Sequence, residues 1–153
     1  MSEQSYSKKL SVSAGAESVY KAITKEIDKW WTINSNDAFN VGDILTVKFG
    51  EPYFMSMEVE DSIVNKLLVW KVVAANMFVE GSGINNDEWV GTKVHWEISG
   101  AERGSDISLY HEGLVPSFDC YDICKDGWDY FLGSLKAFLD TGTGSPHIDL
   151  VEN

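Results

Sequence analysis

Along most of the chain apolar and polar side chains exchange places at every step, and in two stretches the period lengthens to that of a helix. From Tyr6 to Val12, Tyr6, Leu10 and Val12 share one parity while Ser7, Lys9 and Ser11 take the other, which predicts a half-buried strand. Between Gly15 and Thr24 the period changes: Val19, Tyr20, Ile23 and Ile27 fit one helical face, and a second short helix leads to the Trp30-Trp31 pair. Asn34 to Asn40 is rich in Asn, Asp and Ser, whose side chains bond to nearby backbone, and it reads as a loop. Alternation then resumes. Leu45, Val47 and Phe49 stand against Thr46 and Lys48, and after a turn at Glu51-Pro52, Met55, Met57 and Val59 stand against Ser56, Glu58 and Glu60, making a hairpin.

Leu68, Trp70 and Val72 form the next inward set, with Leu67, Val69 and Val73 suggesting burial on both faces. Met77 to Glu80 fits a further short strand, and Gly81 to Asp87 is rich in turn residues and expected to be mobile. Val90, Thr92, Val94, Trp96 and Ile98 alternate with Gly91, Lys93, His95 and Glu97, and a turn at Gly100 to Gly104 leads to Ile107, Leu109 and His111. Pro116 ends the extended region, and Ser117 or Asp119 can cap a helix running to about Thr141. Tyr121, Cys124, Trp128, Phe131, Leu132, Leu135, Phe138 and Leu139 cover one face of it, and Asp119, Asp122, Asp126 and Asp129 the other, read as a solvated face. Gly142 and Gly144 stop this helix.

Sequential strands joined by short turns favour an antiparallel sheet, and a lone long helix must bury its apolar face against it. The expected class is α+β, a helix-grip fold: a curved antiparallel sheet of six or seven strands, two short helices, and a long C-terminal helix over a cavity. Residues 1–144 would form this one domain and 145–153 a tail.

Charge narrows the partners. Twelve Lys plus Arg against twenty-four Asp plus Glu give a net charge of −12, and Arg103 is the sole arginine. Nucleic acids and anionic membranes need basic surfaces, so neither is an expected partner. No run approaches the ~18 apolar residues of a membrane span, and Met1 to Ser7 holds no apolar signal core. Cys120 and Cys124, four apart in a helix, are poorly placed for a disulfide, so the expected setting is the reducing cytoplasm. With His111 alone beside them they also make a poor metal set, and no phosphate loop or nucleophile elbow occurs.

The segments Val19-Tyr20-Lys21-Ala22-Ile23-Thr24, Trp30-Trp31, Glu88-Trp89-Val90-Gly91-Thr92, Trp96-Glu97-Ile98, His111-Glu112-Gly113-Leu114, Gly127-Trp128 and Phe131-Leu132-Gly133-Ser134-Leu135 carry a likeness in their order and spacing. In them the chain resembles the START-like superfamily, that of polyketide cyclases and the birch-pollen allergen. Within it the chain is most similar to single-domain proteins related to the activator of heat-shock protein 90 ATPase. The resemblance implies a cavity for hydrophobic small molecules, with no cofactor and no shared catalytic residue.

Strand parity and the helix stripe nominate the cavity lining: Trp31, Met57, Trp70, Trp96, Leu109, His111, Cys124, Trp128, Phe131 and Leu135. His111 is the first choice for a polar contact, against the plainer reading of a satisfied core histidine. Trp30 and Trp31, being adjacent, are not expected both to face inward, so one is expected at the cavity mouth or on the surface. The expected function is non-catalytic binding of a hydrophobic small molecule, aromatic ones included. The alternatives are a chaperone-partner role using an exposed tryptophan, and cyclase-like or hydratase-like chemistry with His111 or Tyr110 moving protons. Parity turns Tyr110 away from His111.

Overall fold

A computed structural model describes residues 5–49, 53–76, 88–101, 104–117 and 121–147. The expected Glu51-Pro52 turn, the strand at Met77 to Glu80, the loop Gly81 to Asp87, the cap at Asp119 and the thiol of Cys120 lie outside them. In chain order the elements are β1 (Tyr6–Val12), α1 (Ala16–Thr24), α2 (Ile27–Trp30), β2 (Ile44–Lys48), β3 (Phe54–Ile63), β4 (Leu67–Asn76), β5 (Lys93–Ala101), β6 (Gly104–Glu112) and α3 (Tyr121–Thr141). Among the described residues the strands form one six-stranded antiparallel sheet in the order β1-β6-β5-β4-β3-β2. β1 joins the far edge because α1 and α2 carry the chain across between it and β2.

The sheet bends where its registers slip. β3 shifts against β4 between Ser56 and Met57 and again between Val59 and Asp61, and such bulges kink and twist the strand that carries them. Around the concave face, Leu45, Val47, Met57, Val59, Trp70, Val94, Trp96, Ile107, Leu109 and His111 are all buried, as period-two alternation requires. α3 packs against β1, α1 and α2, so its inward stripe roofs this face: Cys124, Trp128, Leu132 and Leu135 are buried.

Several expectations change. Val90 and Gly91 belong to a turn, and β5 starts at Lys93. Gly91 sits at φ +92°, a conformation that does not continue a strand. Val69 is buried on the second face of β4, whereas Val73 is exposed. Trp30 and Trp31 are both buried. α2 is only one turn long and Trp31 is its C-cap, so the chain leaves the helix between them and the indoles stack 5.6 Å apart at 13°. Trp30 then donates from Nε1 to the Ala22 carbonyl at 2.8 Å.

Asp129 also departs from the solvated face expected for it. It accepts a 2.6 Å hydrogen bond from the Tyr6 hydroxyl and lies within 3.4 Å of both Lys8 and Lys125, fastening α3 to the first strand. Burial pushes its carboxyl up, but the bonds from Tyr6, Lys125 and Lys8 together hold it below the usual carboxylate range. Tyr6 responds in the opposite sense: burial and the carboxylate beside it raise its hydroxyl well above the ordinary value.

Candidate functional site

The space under α3 is unevenly filled. Its sheet-side floor is solid: Trp70 and Trp96 meet edge to face at 5.6 Å, Trp96 meets Trp30 in the same way at 6.0 Å, and all three are fully buried. Towards the N-terminal half of α3 and the start of β3 the packing opens into a pocket of about 310 Å³. Trp31, Trp89 and Trp128 form its inner wall, and Phe49, Phe131 and His147 stand across from them, with Cys124 and Gly127 between. Such a volume lies at the small end of ligand sites.

The rings are arranged as a connected set. Trp31 stacks on Trp70 at 5.9 Å and leans on Trp128 at 5.2 Å, while Trp89 lies nearly parallel to Trp128 at 6.0 Å. Phe49 touches Trp31, Phe131 and His147 at ring distances of 6.1, 5.8 and 5.4 Å. All six tryptophans of the chain therefore belong to one network of ring contacts.

His111 lies behind this wall, not in it. Trp128 Nε1, which can only donate, bonds to His111 Nδ1 at 3.0 Å, so that nitrogen accepts and the ring proton sits on Nε2. Nε2 then donates to Thr92 Oγ1 at 2.8 Å, and Thr92 donates to the Trp89 carbonyl at 2.6 Å. The chain of bonds begins and ends on two wall tryptophans. Gly113 makes room for it: at φ +98°, a side chain there would come within 2.9 Å of Thr92 Cγ2. Burial, with a smaller contribution from the charge of His95, lowers the His111 pKa from its ordinary value to about 3. The imidazole is thus neutral near pH 7, fully buried and engaged at both nitrogens, a satisfied core histidine with no group left to move a proton. Tyr110 is exposed on the opposite face.

Ser145 to His147, expected as a tail, is bonded back to α3 and to the segment that follows α2. Ser145 N–H donates to Ser134 Oγ at 2.6 Å, His147 N–H to the Trp31 carbonyl at 2.8 Å, and Ile33 N–H to the His147 carbonyl at 3.1 Å. Gly144 permits the approach, since a Cβ there would meet the Lys29 carbonyl at 2.5 Å. This short segment supplies the His147 wall.

Solved structures share this architecture. The solution structure of the Aha1 dimer from Colwellia psychrerythraea superposes with a TM-score of 0.76 at 27% identity, over 94% of this chain and 100% of that one. The chain has a START-like fold of the Aha1 type. The crystal structure of protein MLL2253 from Mesorhizobium loti matches in fold at a TM-score of 0.71 and 18% identity, over 89% of this chain and 96% of that one. DynU16, a putative protein in the dynemicin biosynthetic locus, gives 0.67 and 20%, over 94% of this chain and 49% of its own. No family model matches the sequence, and neither does any curated protein.

Within the START-like frame the nominated residues divide. Trp31, Cys124, Trp128 and Phe131 come together around the pocket. Met57, Trp70, Trp96, Leu109, His111 and Leu135 are fully buried in the floor and roof and do not line it. Phe49, Tyr53, Met55, Trp89 and His147 line it without having been nominated. Phe49 and Met55 were within reach, since both share the inward parity of their strands. Trp89 precedes its strand and His147 follows the last helix, where no periodicity points the way. Cys124 accepts a 3.2 Å bond from Trp89 Nε1, which positions a thiol as a small wall group. Among the described residues no three His, Cys, Asp or Glu side chains gather as a metal set, and no helix is long and apolar enough to cross a membrane.

Proposed function

We propose that the chain binds a flat hydrophobic small molecule in the pocket between α3 and the β2–β3 end of the sheet, as a carrier or sequestering protein. The observation that carries this reading is the pocket itself: about 310 Å³ left open beside a solid core and walled mainly by aromatic rings. Apolar concave sites with a few polar edges are the usual form of small-molecule sites. The indoles of Trp31, Trp89 and Trp128 offer stacking surface, and the Tyr53, Cys124 and His147 side chains supply polar edges. A molecule of one to three fused rings suits the space.

N-phenyl-1-naphthylamine, a neutral probe that brightens in apolar surroundings, tests the reading. Expected is saturable binding of one probe per chain, lost in Gly127→Leu. A side chain at Gly127 meets nothing within 4 Å at its Cβ and projects from the pocket lining, so the variant fills the pocket without disturbing the core. Equal probe binding by the folded Gly127→Leu protein would falsify the proposal. The likeness to an Aha1 structure favours a chaperone-partner role as the second reading. The exposed tryptophan expected to serve it is not available, because Trp30 and Trp31 are both buried. A stoichiometric chaperone retained by the tagged protein, with no probe binding, would make that reading the better one.

A further inference from the structure

On the outside of the fold, away from the aromatic pocket, α1 and the turn between β3 and β4 flank an open groove of about 550 Å³. One wall is α1, presenting Tyr20, Lys21, Thr24 and Lys25; the other carries Val41 and Val64, with Phe39 at the Lys25 end. Phe39, Val41 and Val64 are exposed large apolar side chains, at 37%, 64% and 68%, and their gathering along one groove is more telling than any one of them alone. The Tyr20 hydroxyl bonds to the Ser62 hydroxyl across the base and ties the two walls together.

The charge of this groove runs against that of the protein. In a chain of net charge −12, Lys21 and Lys25 stand one helical turn apart on the same rim, and among the described residues neither forms an ion pair. Glu17, a turn before them, is the acidic group of the lining. Lys25 Nζ sits 4.8 Å from the centre of the Phe39 ring, at the junction of the charged rim and the apolar wall. Lysines at i and i+4 have Cβ atoms about 5–6 Å apart, close enough for both ammonium groups to reach one anion.

We infer that this groove is a second binding site, for a free amphiphilic anion: a carboxylate, or an acid of similar size, held between Lys21 and Lys25 with its apolar body along Phe39, Val41 and Val64. A free molecule fits better than a membrane surface. Two lysines on a strongly acidic protein are too few to hold it to an anionic bilayer, where polybasic clusters are the rule, and the groove between α1 and the β3–β4 turn suits a narrow chain.

Octanoate and its neutral counterpart 1-octanol, titrated into nitrogen-15-labelled protein, distinguish the outcomes. Expected are saturable shifts at the amides of Lys21, Lys25, Val41 and Val64, with binding weakened roughly tenfold in Lys21→Gln/Lys25→Gln, and 1-octanol weaker than octanoate by a similar factor. All these side chains are exposed, so the substitutions spare the fold. A Val64→Ser variant checks the apolar wall and is expected to weaken octanoate without affecting the naphthylamine probe in the other pocket. The inference is overturned if octanoate up to about 5 mM, a weak-binding ceiling, moves no groove amide, or moves only those of Cys124 to Phe131. It is equally overturned if the double lysine variant binds as tightly as the parent, or if anionic vesicles capture the protein through these lysines while octanoate does not.

Discussion

The two halves of the space under α3 are built from the same residue types and do opposite things. Around Trp96 the buried indoles of Trp30 and Trp70 meet it edge to face and fill the space; around Trp31, Trp89 and Trp128 the rings stand beside open volume, Trp89 nearly parallel to Trp128 and Trp31 tilted against it. Hydrogen bonding differs among the indoles as well, although Trp30 in the floor donates to the Ala22 carbonyl. Trp70 and Trp96 bury their indole nitrogens without a hydrogen-bond partner among the described residues, whereas Trp89 and Trp128 bond to Cys124 and His111. A buried N–H without a partner carries a desolvation cost, which the ring packing of the floor has to offset, while a wall facing open space needs its rings held at fixed angles. The polar chain from Trp128 through His111 and Thr92 to Trp89 does that holding.

The sharpest way to break this comparison is to empty the floor. Trp96→Ala is expected to cost about 3–5 kcal/mol, the usual range for a buried aromatic, read as a drop in the urea midpoint. Phe131→Ala, on the half-buried pocket wall, is expected to cost less than half of that, because the space beside it is already open. If the two cost the same, the distinction between floor and wall fails.

Next in size is the pH response of the holding chain. The unfolded chain takes up a proton on histidine near pH 6.5, and folded His111 only near 3. Its contribution is therefore complete above about pH 6.5 and falls as the pH drops towards 3, by at most ~1.4 kcal/mol per unit. Urea melts of the parent and His111→Gln between pH 7 and 4 are expected to differ in slope, the variant being flatter. Parallel curves would remove the neutral-histidine assignment.

A finer test compares the two kinds of indole nitrogen. Trp128→Phe strands His111 Nδ1 and is expected to cost about 1–3 kcal/mol more than Trp96→Phe, which removes a donor with no partner. The smallest effect is expected of Gly127→Ala, which should raise stability by up to ~1 kcal/mol through helix propensity, because its Cβ meets no atom.

Much of the architecture was legible because strand parity and the stripe on α3 are local signals. Parity assigned Leu109 and His111 to the inner face and Tyr110 to the outer, and burial agrees. Depth was not legible. Parity states which face a side chain occupies, and is silent on whether a neighbour fills the space beyond it, so Met57, Trp70 and Trp96 read like pocket residues although they are floor. The inward placing of both Trp30 and Trp31 depends on where α2 stops, at the scale of one residue. His147 is held at the site by a non-local bridge to Thr32, a contact with no trace in local periodicity.

The ring network also makes the protein its own optical reporter. Indoles whose centres lie 5 to 6 Å apart exchange excitation far faster than they emit. Light absorbed by Trp96 in the sealed floor is therefore not confined there, and can reach Trp31 or Trp89 beside the pocket. Their electronic transitions should couple in the same way, giving paired bands of opposite sign in ultraviolet circular dichroism that depend on inter-ring angle. A guest molecule touching one wall would alter the spectrum of all six tryptophans together.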